Sequence, residues 1–201
     1  QGSQYPGMLL DLACQFPGMM DALAEADSVF AREHLRSDSQ RLSDFIYPQP
    51  AFSDDARRRQ EEALKATDIT QPALGAVSMG AFNVLNHFGV AAEAACGHSY
   101  GELPALCGAG RIEPQALHQL SNLRGRLMAR NNGNGERGAM LAVQAGEETV
   151  LSFLRDENSP LVVANRNAPK QYVLAGPLEH IEKALDALTK RSIRSRRLQV
   201  S

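Results

Sequence analysis

The pentapeptide Gly97-His98-Ser99-Tyr100-Gly101 constrains this chain more than any other stretch. A G-x-S-x-G run places its serine on a sharp, strained turn, and bulk two residues to either side would block the approach of the incoming segment to the outgoing helix. The flanking sequence fits that demand. Residues 70–90 carry Leu74, Val77, Ala81, Val84, Leu85 and Phe88 along one side with few charges, which predicts a long, mostly buried helix. The short alanine-rich run Glu93-Ala94-Ala95-Cys96 is expected as a strand, although its propensity is poor. An alanine–leucine helix is expected from Leu103. Such a helix aims its first N–H groups and positive end at a developing oxyanion. Helix, strand, turn and helix in this order make Ser99 a candidate nucleophile rather than a serine in a chance glycine turn.

A hydroxyl attacks poorly without a base. His34, His87, His98, His118 and His180 are the histidines available. His98 is adjacent to Ser99 and projects differently. His87 falls on the expected core helix, and His34, His118 and His180 fall on or near surface-looking helices. None stands out as the base.

The rest of the chain reads as two patterns. Over residues 8–32 apolar side chains recur three and four apart, and Pro17 divides two helices. Residues 46–50 are an extended connector. Ser53-Asp54-Asp55 supplies an N-cap and acidic first turn to a helix over 56–66, whose RRRQEE run is a solvated face. Pro114 opens a helix running to Arg130, and Asn131-Asn132-Gly133-Asn134-Gly135 is the clearest linker. Beyond it come a strand (139–143), a helix (147–155), strands (161–164 and 172–175), a helix (178–190) and a strand (193–200). This βαββαβ order is the split βαβ arrangement of ferredoxin-like domains.

The 21 basic and 23 acidic residues give a net charge of -2, so no overall basic field recruits nucleic acid or anionic lipid. No apolar run has the length of a membrane span. Cys14, Cys96 and Cys107, odd in number and without CxxC spacing, support neither a disulfide framework nor a structural zinc site, and fit a reducing cytoplasm. Arginine far outnumbers lysine, in keeping with a GC-rich bacterial source. Both ends are expected to be cut: no strand precedes Gln1-Gly2-Ser3-Gln4, and Ser201 follows a strand with nothing to complete a layer.

Four segments in order give the chain a specific resemblance. Gln1-Gly2-Ser3-Gln4 looks like a GQGSQ opening that lacks its first glycine, and Gly97-His98-Ser99-Tyr100-Gly101-Glu102 like GHSxGE. Leu123-Arg124-Gly125 looks like a downstream arginine segment, and Asn167-Ala168-Pro169 with Gln171-Tyr172-Val173-Leu174-Ala175-Gly176 like NxPxQxVxxG. The chain resembles the acyltransferase domains of polyketide and fatty-acid synthases and the free-standing malonyl-CoA:acyl carrier protein transacylases. Residues 46–50, the 67–73 block and the aromatic after the serine are similar to the iterative enediyne and polyunsaturated fatty-acid synthase branch.

The resemblance implies an α/β fold: an α/β-hydrolase-like core over 1–136, incomplete in this chain, and a ferredoxin-like βαββαβ subdomain over 137–201. It implies that Ser99 takes a malonyl group from malonyl-CoA and passes it to the phosphopantetheine thiol of an acyl carrier protein. Backbone N–H groups of Tyr100 and Gln1 would form the oxyanion hole. Arg124 would clamp the malonyl carboxylate, with Arg126 its near neighbour, and His98 and Asn167 would line the pocket. Read from the residues alone, Asn167 is equally a turn residue. No bound cofactor or metal is implied, and ketosynthase domains of the same synthase are the expected neighbours. The family's histidine base, and the pair of residues that helps separate malonyl from methylmalonyl donors, are expected beyond Ser201. Two other readings stay open: an esterase-type hydrolase using the same turn, and an inactive acyltransferase-like docking module.

Overall fold

The computed structural model describes residues 2–33, 40–130 and 138–198. The chain folds as two compact units, Gln1–Arg130 and Asn131–Ser201. Gln1, His34, the 131–135 linker and the end of the last expected strand lie outside the described residues.

Among the described residues the first unit is helical. Helices α1 (Leu10–Gln15) and α2 (Pro17–Glu33) meet at Phe16. Proline suits the first helical position because it lacks an N–H that would go unpaired there. A short α3 (Leu42–Ile46) precedes α4 (Asp54–Lys65), and α5 spans Thr67–His87. A single 3-10 turn at Ser99–Gly101 leads into α6 (Glu102–Gly108), and α7 spans Pro114–Arg130.

Helix α5 is the hub. Ile69, Ala73, Ala76 and Val77 pack in one buried cluster with Met19, Leu23, Ala26 and Phe30 of α2 and Leu42, Phe45 and Ile46 of α3. Burying each large apolar side chain stabilises the fold by about 1.5–3 kcal/mol. Close helix approach depends on small residues. A Cβ at Gly80 would stand 2.2 Å from Met19 Sδ, and one at Gly125 of α7 would stand 2.9 Å from the Asp68 Cα of α5.

Three expectations are corrected in this unit. Residues 93–96 form no strand. They are exposed, and an extended segment becomes a strand only through a ladder partner, which it lacks among the described residues. Leu85 and Phe88, expected on the buried side of α5, are 49% and 64% exposed where its last turn emerges. Ile46 ends a helix rather than starting the connector. Asp27 of α2 holds that helix by accepting from the Ser43 N–H at 2.8 Å and the Ser43 hydroxyl at 2.6 Å. The charged helix behaves as expected: Ser53 accepts from the Ala56 N–H, and Arg58 pairs with Asp55 at 2.7 Å on an exposed face.

The second unit runs β1 (Gly138–Val143), α8 (Glu147–Asp156), β2 (Val162–Ala168), β3 (Gln171–Pro177), α9 (Leu178–Lys190) and β4 (Ser195–Leu198). The βαββαβ order matches the sequence reading. The sheet order is β2-β3-β1-β4 with antiparallel pairing throughout. Alternation along β1 buries Ala139, Leu141 and Val143 against Val150 and Phe153 of α8 and Ile181, Ala184 and Leu188 of α9. β2 and β4 are the edges.

Candidate active site

Ser99 sits at φ 55°, in the left-handed region, between an extended His98 and the αR residue Glu102. A non-glycine residue held there costs about 1–3 kcal/mol, and such strain persists only where the surroundings impose it. Gly97 is one source of the constraint. A Cβ on it would lie 2.0 Å from the Gly101 carbonyl oxygen, so the chain doubles back onto Gly97. The Gly101 N–H closes the turn on the His98 carbonyl at 2.9 Å. The second glycine of the motif is different, since a Cβ on Gly101 would meet open space.

The turn sends neighbouring side chains opposite ways: Ser99 and His98 are exposed, while Tyr100 is 2% exposed. The Tyr100 hydroxyl lies 2.7 Å from Ser121 Oγ of α7, and Ser121 donates to the Leu117 carbonyl at 2.7 Å. Gly75 of α5 makes the room, because a Cβ there would stand 2.3 Å from that hydroxyl. Burial drives the Tyr100 phenol far above its ordinary range, with the Ser121 hydrogen bond and Arg124 acting more weakly the other way, so it stays neutral.

Two arginines of α7 differ sharply. Arg126 donates to the Glu33 carbonyl at 2.9 Å and pairs with its carboxylate at 2.8 Å, which ties α7 to the end of α2. Arg124 is half-buried, and its Nη1 is buried without a hydrogen-bond partner among the described residues. It is close enough to Tyr100 to act on the phenol electrostatically. A buried guanidinium N–H left unpaired carries a desolvation cost that an incoming anion would offset.

Asn167 belongs to the second unit. It is exposed on β2, where Arg166 pairs with Tyr172 and Ala168 with Gln171, leaving Asn167 as the extra residue of a β-bulge. It precedes the Pro169-Lys170 turn instead of forming it. Bulges re-aim side chains at sheet edges. The same unit has an open cavity of about 980 Å³ whose lining includes Lys170, Arg194 and Arg196 and no carboxylate. Ser195, also in that lining, has a buried hydroxyl without a partner among the described residues.

No described histidine is placed as a base for Ser99. His87 stacks edge-on with Phe16 and Phe88, and His118, expected near the surface, is 1% exposed with both ring nitrogens unpartnered. No histidine hydrogen-bonds to Ser99 among the described residues. Nor do they contain a group of three or more His, Cys, Asp or Glu able to hold a metal, or a helix long and apolar enough to cross a membrane. Sequence reasoning missed Gly75, Ser121 and Asn122, and it placed the buried His118 near the surface. Isolated glycine and serine within a strongly helical pattern were the available signal.

Comparison with known proteins bears on this geometry. The family described as acyl transferase domain matches residues 1–201. The spectinabilin polyketide synthase system protein NorB of Streptomyces orinoci is 34% identical over 202 residues, which is 100% of this chain and 9% of that protein. The chain spans 5% to 9% of the length of three polyketide synthases it matches. Among solved structures, the acyl carrier protein S-malonyltransferase of Vibrio cholerae is 32% identical with a TM-score of 0.80, covering 100% of this chain and 61% of that one. A malonyl-transacylase in complex with its type II polyketide acyl carrier protein is 33% identical with a TM-score of 0.78, covering 100% and 60%.

Proposed function

Since the chain belongs to the acyl transferase domain family, we propose that it loads malonyl groups through a covalent Ser99 ester. Ser99 Oγ attacks the thioester carbonyl of malonyl-CoA, the C–S bond breaks and coenzyme A leaves as its thiol. The phosphopantetheine thiol of an acyl carrier protein then attacks the malonyl-serine ester, the C–O bond breaks and Ser99 recovers its proton. The N–H of Tyr100, at the start of the helical turn, and that of Gln1 receive the oxyanion. Arg124 grips the free carboxylate, because a planar guanidinium matches it in a bidentate pair. His98 borders the acyl group.

One observation carries the reading: the exposed, strained Ser99 shares a unit with Arg124, whose Nη1 is unpartnered among the described residues, and Tyr100 links the two. An esterase has no use for an arginine with a buried, unpartnered N–H in the unit that carries its nucleophile. A docking module has no use for a serine held at φ 55°.

On this reading residues 1–136 are part of an α/β-hydrolase-like core and 137–201 a ferredoxin-like subdomain. The domain works beside ketosynthase domains in a polyketide or polyunsaturated fatty-acid synthase. The test is incubation of the full-length protein with malonyl-CoA followed by peptide mass spectrometry. A malonyl adduct on Ser99, absent in Ser99→Ala, is expected. A protein that never acylates, with Ser99→Ala indistinguishable from it, leaves only the docking module.

A further inference from the structure

Ser121 carries a single hydroxyl proton and gives it to the Leu117 carbonyl. The short contact between Ser121 and Tyr100 is therefore made by the Tyr100 proton, which fixes the direction of the relay: Tyr100 to Ser121 to the α7 backbone. The slot for the phenol exists only because residue 75 has no side chain. Ser121 and Arg124 stand three apart on α7, the spacing of helical neighbours. Tyr100 is thus bonded, one residue from the proposed nucleophile, to the helix that carries Arg124, whose Nη1 is unpartnered among the described residues.

We infer that the Tyr100–Ser121 hydrogen bond is a tether that sets Ser99 relative to Arg124, making both side chains positioning residues for donors that end in a carboxylate. This rests on the proposed malonyl-transfer reading and adds a requirement to it. A donor gripped at its far end by Arg124 reaches Ser99 only if the two are held in register. A donor without that carboxylate, such as an acetyl thioester, settles against the serine freely. Misplacement of reacting atoms by about 1 Å costs up to about a hundredfold in rate, so loosening one hydrogen bond should cost less than that.

The experiment measures kcat and KM for malonyl-CoA and acetyl-CoA with full-length wild type, Ser121→Ala, Tyr100→Phe and the double variant. Each single variant is expected to lower the malonyl-to-acetyl ratio of kcat by about tenfold, with the KM for malonyl-CoA moving less than about twofold. The double variant should fall no further, because both singles break the same bond. Ser121→Thr, which keeps a hydroxyl, should recover the ratio. An unchanged ratio in both singles overturns the tether, as does equal loss with both donors, the mark of a purely structural role. If Ser121→Ala does not fold, Tyr100→Phe, which preserves the buried ring, decides alone. A wild-type protein that accepts no malonyl group overturns the proposed function itself and the tether with it.

Discussion

Ser99 and Ser192 share nearly the same φ, 55° and 58°, in different units and different settings. Ser192 follows the last turn of α9, where its N–H reaches the Thr189 carbonyl and that of Ile193 reaches Leu188. Asn158 does the same after α8. Helices commonly finish this way, and glycine is the usual occupant. Ser99 stands where a helix begins, a place that favours extended backbone, so termination does not account for its conformation. Glycine would relieve both positions, but only at 99 would the hydroxyl of the proposed nucleophile be lost. The buried polar groups follow the same division. Gln71, His118, Asn122 and Arg124 all bury unpartnered atoms in the first unit, whereas Ser195 alone does so among the described residues of the second. Unmet hydrogen bonding gathers in the unit with the candidate nucleophile.

Gly97→Ala tests that division most severely. Its methyl group would fall 2.0 Å from a backbone oxygen, so the turn must open. Acylation of Ser99 is expected to drop by at least about a hundredfold, read as the rate of adduct formation. Unaltered acylation would show that the turn is not what presents the serine.

The two arginines come next. Arg124→Ala should cut malonyl transfer by about 10²–10³-fold while sparing or improving acetyl transfer, as for loss of one partner of a desolvated charge pair. Arg126→Ala should instead lower the melting temperature, since it frees the end of α2, with the donor ratio little changed. Matching loss with both donors in Arg124→Ala would remove its carboxylate role.

His118 supplies a pH test. Burial pushes its imidazole down to about 4 from an ordinary 6.5. The unfolded chain therefore binds the extra proton first, and the stability from keeping this ring neutral is full above about pH 6.5 and lost as pH falls towards 4. About 2–3 kcal/mol should disappear across that window, measured by denaturant titration at pH 7 and pH 4.5. His118→Leu should flatten the acid limb, and an unchanged limb would assign acid sensitivity elsewhere.

The smallest effect belongs to the second unit. Ser192→Gly should stabilise it by about 0.5–1 kcal/mol, seen as a small rise in melting temperature without change in transfer rate.

Much of this was readable in the sequence where the causes are local. The second unit's elements follow from apolar alternation and helical spacing within a few residues, and α4 announces its cap. The failures have distant causes. Residues 93–96 needed a pairing partner that no local pattern supplies. Helix α3 is held by Asp27, 16 positions earlier. Arg124 and Arg126 are indistinguishable by propensity, and what separates them is Glu33, 93 positions away. The sequence motif pointed to Ser99, but the seat of the Tyr100 side chain depends on atoms that Gly75 does not have.

The contact of Gly125 with the Thr67-Asp68 backbone also limits how the proposed site can change its preference. With no side chain between them, α7 cannot roll about its axis without backbone collision, so the bearing of residue 124 is fixed while its reach is not. Exchanging Arg124 for shorter or neutral side chains should thus retune which acyl groups are accepted without re-engineering the surrounding helices. Any replacement at 125 would swing the whole recognition edge at once.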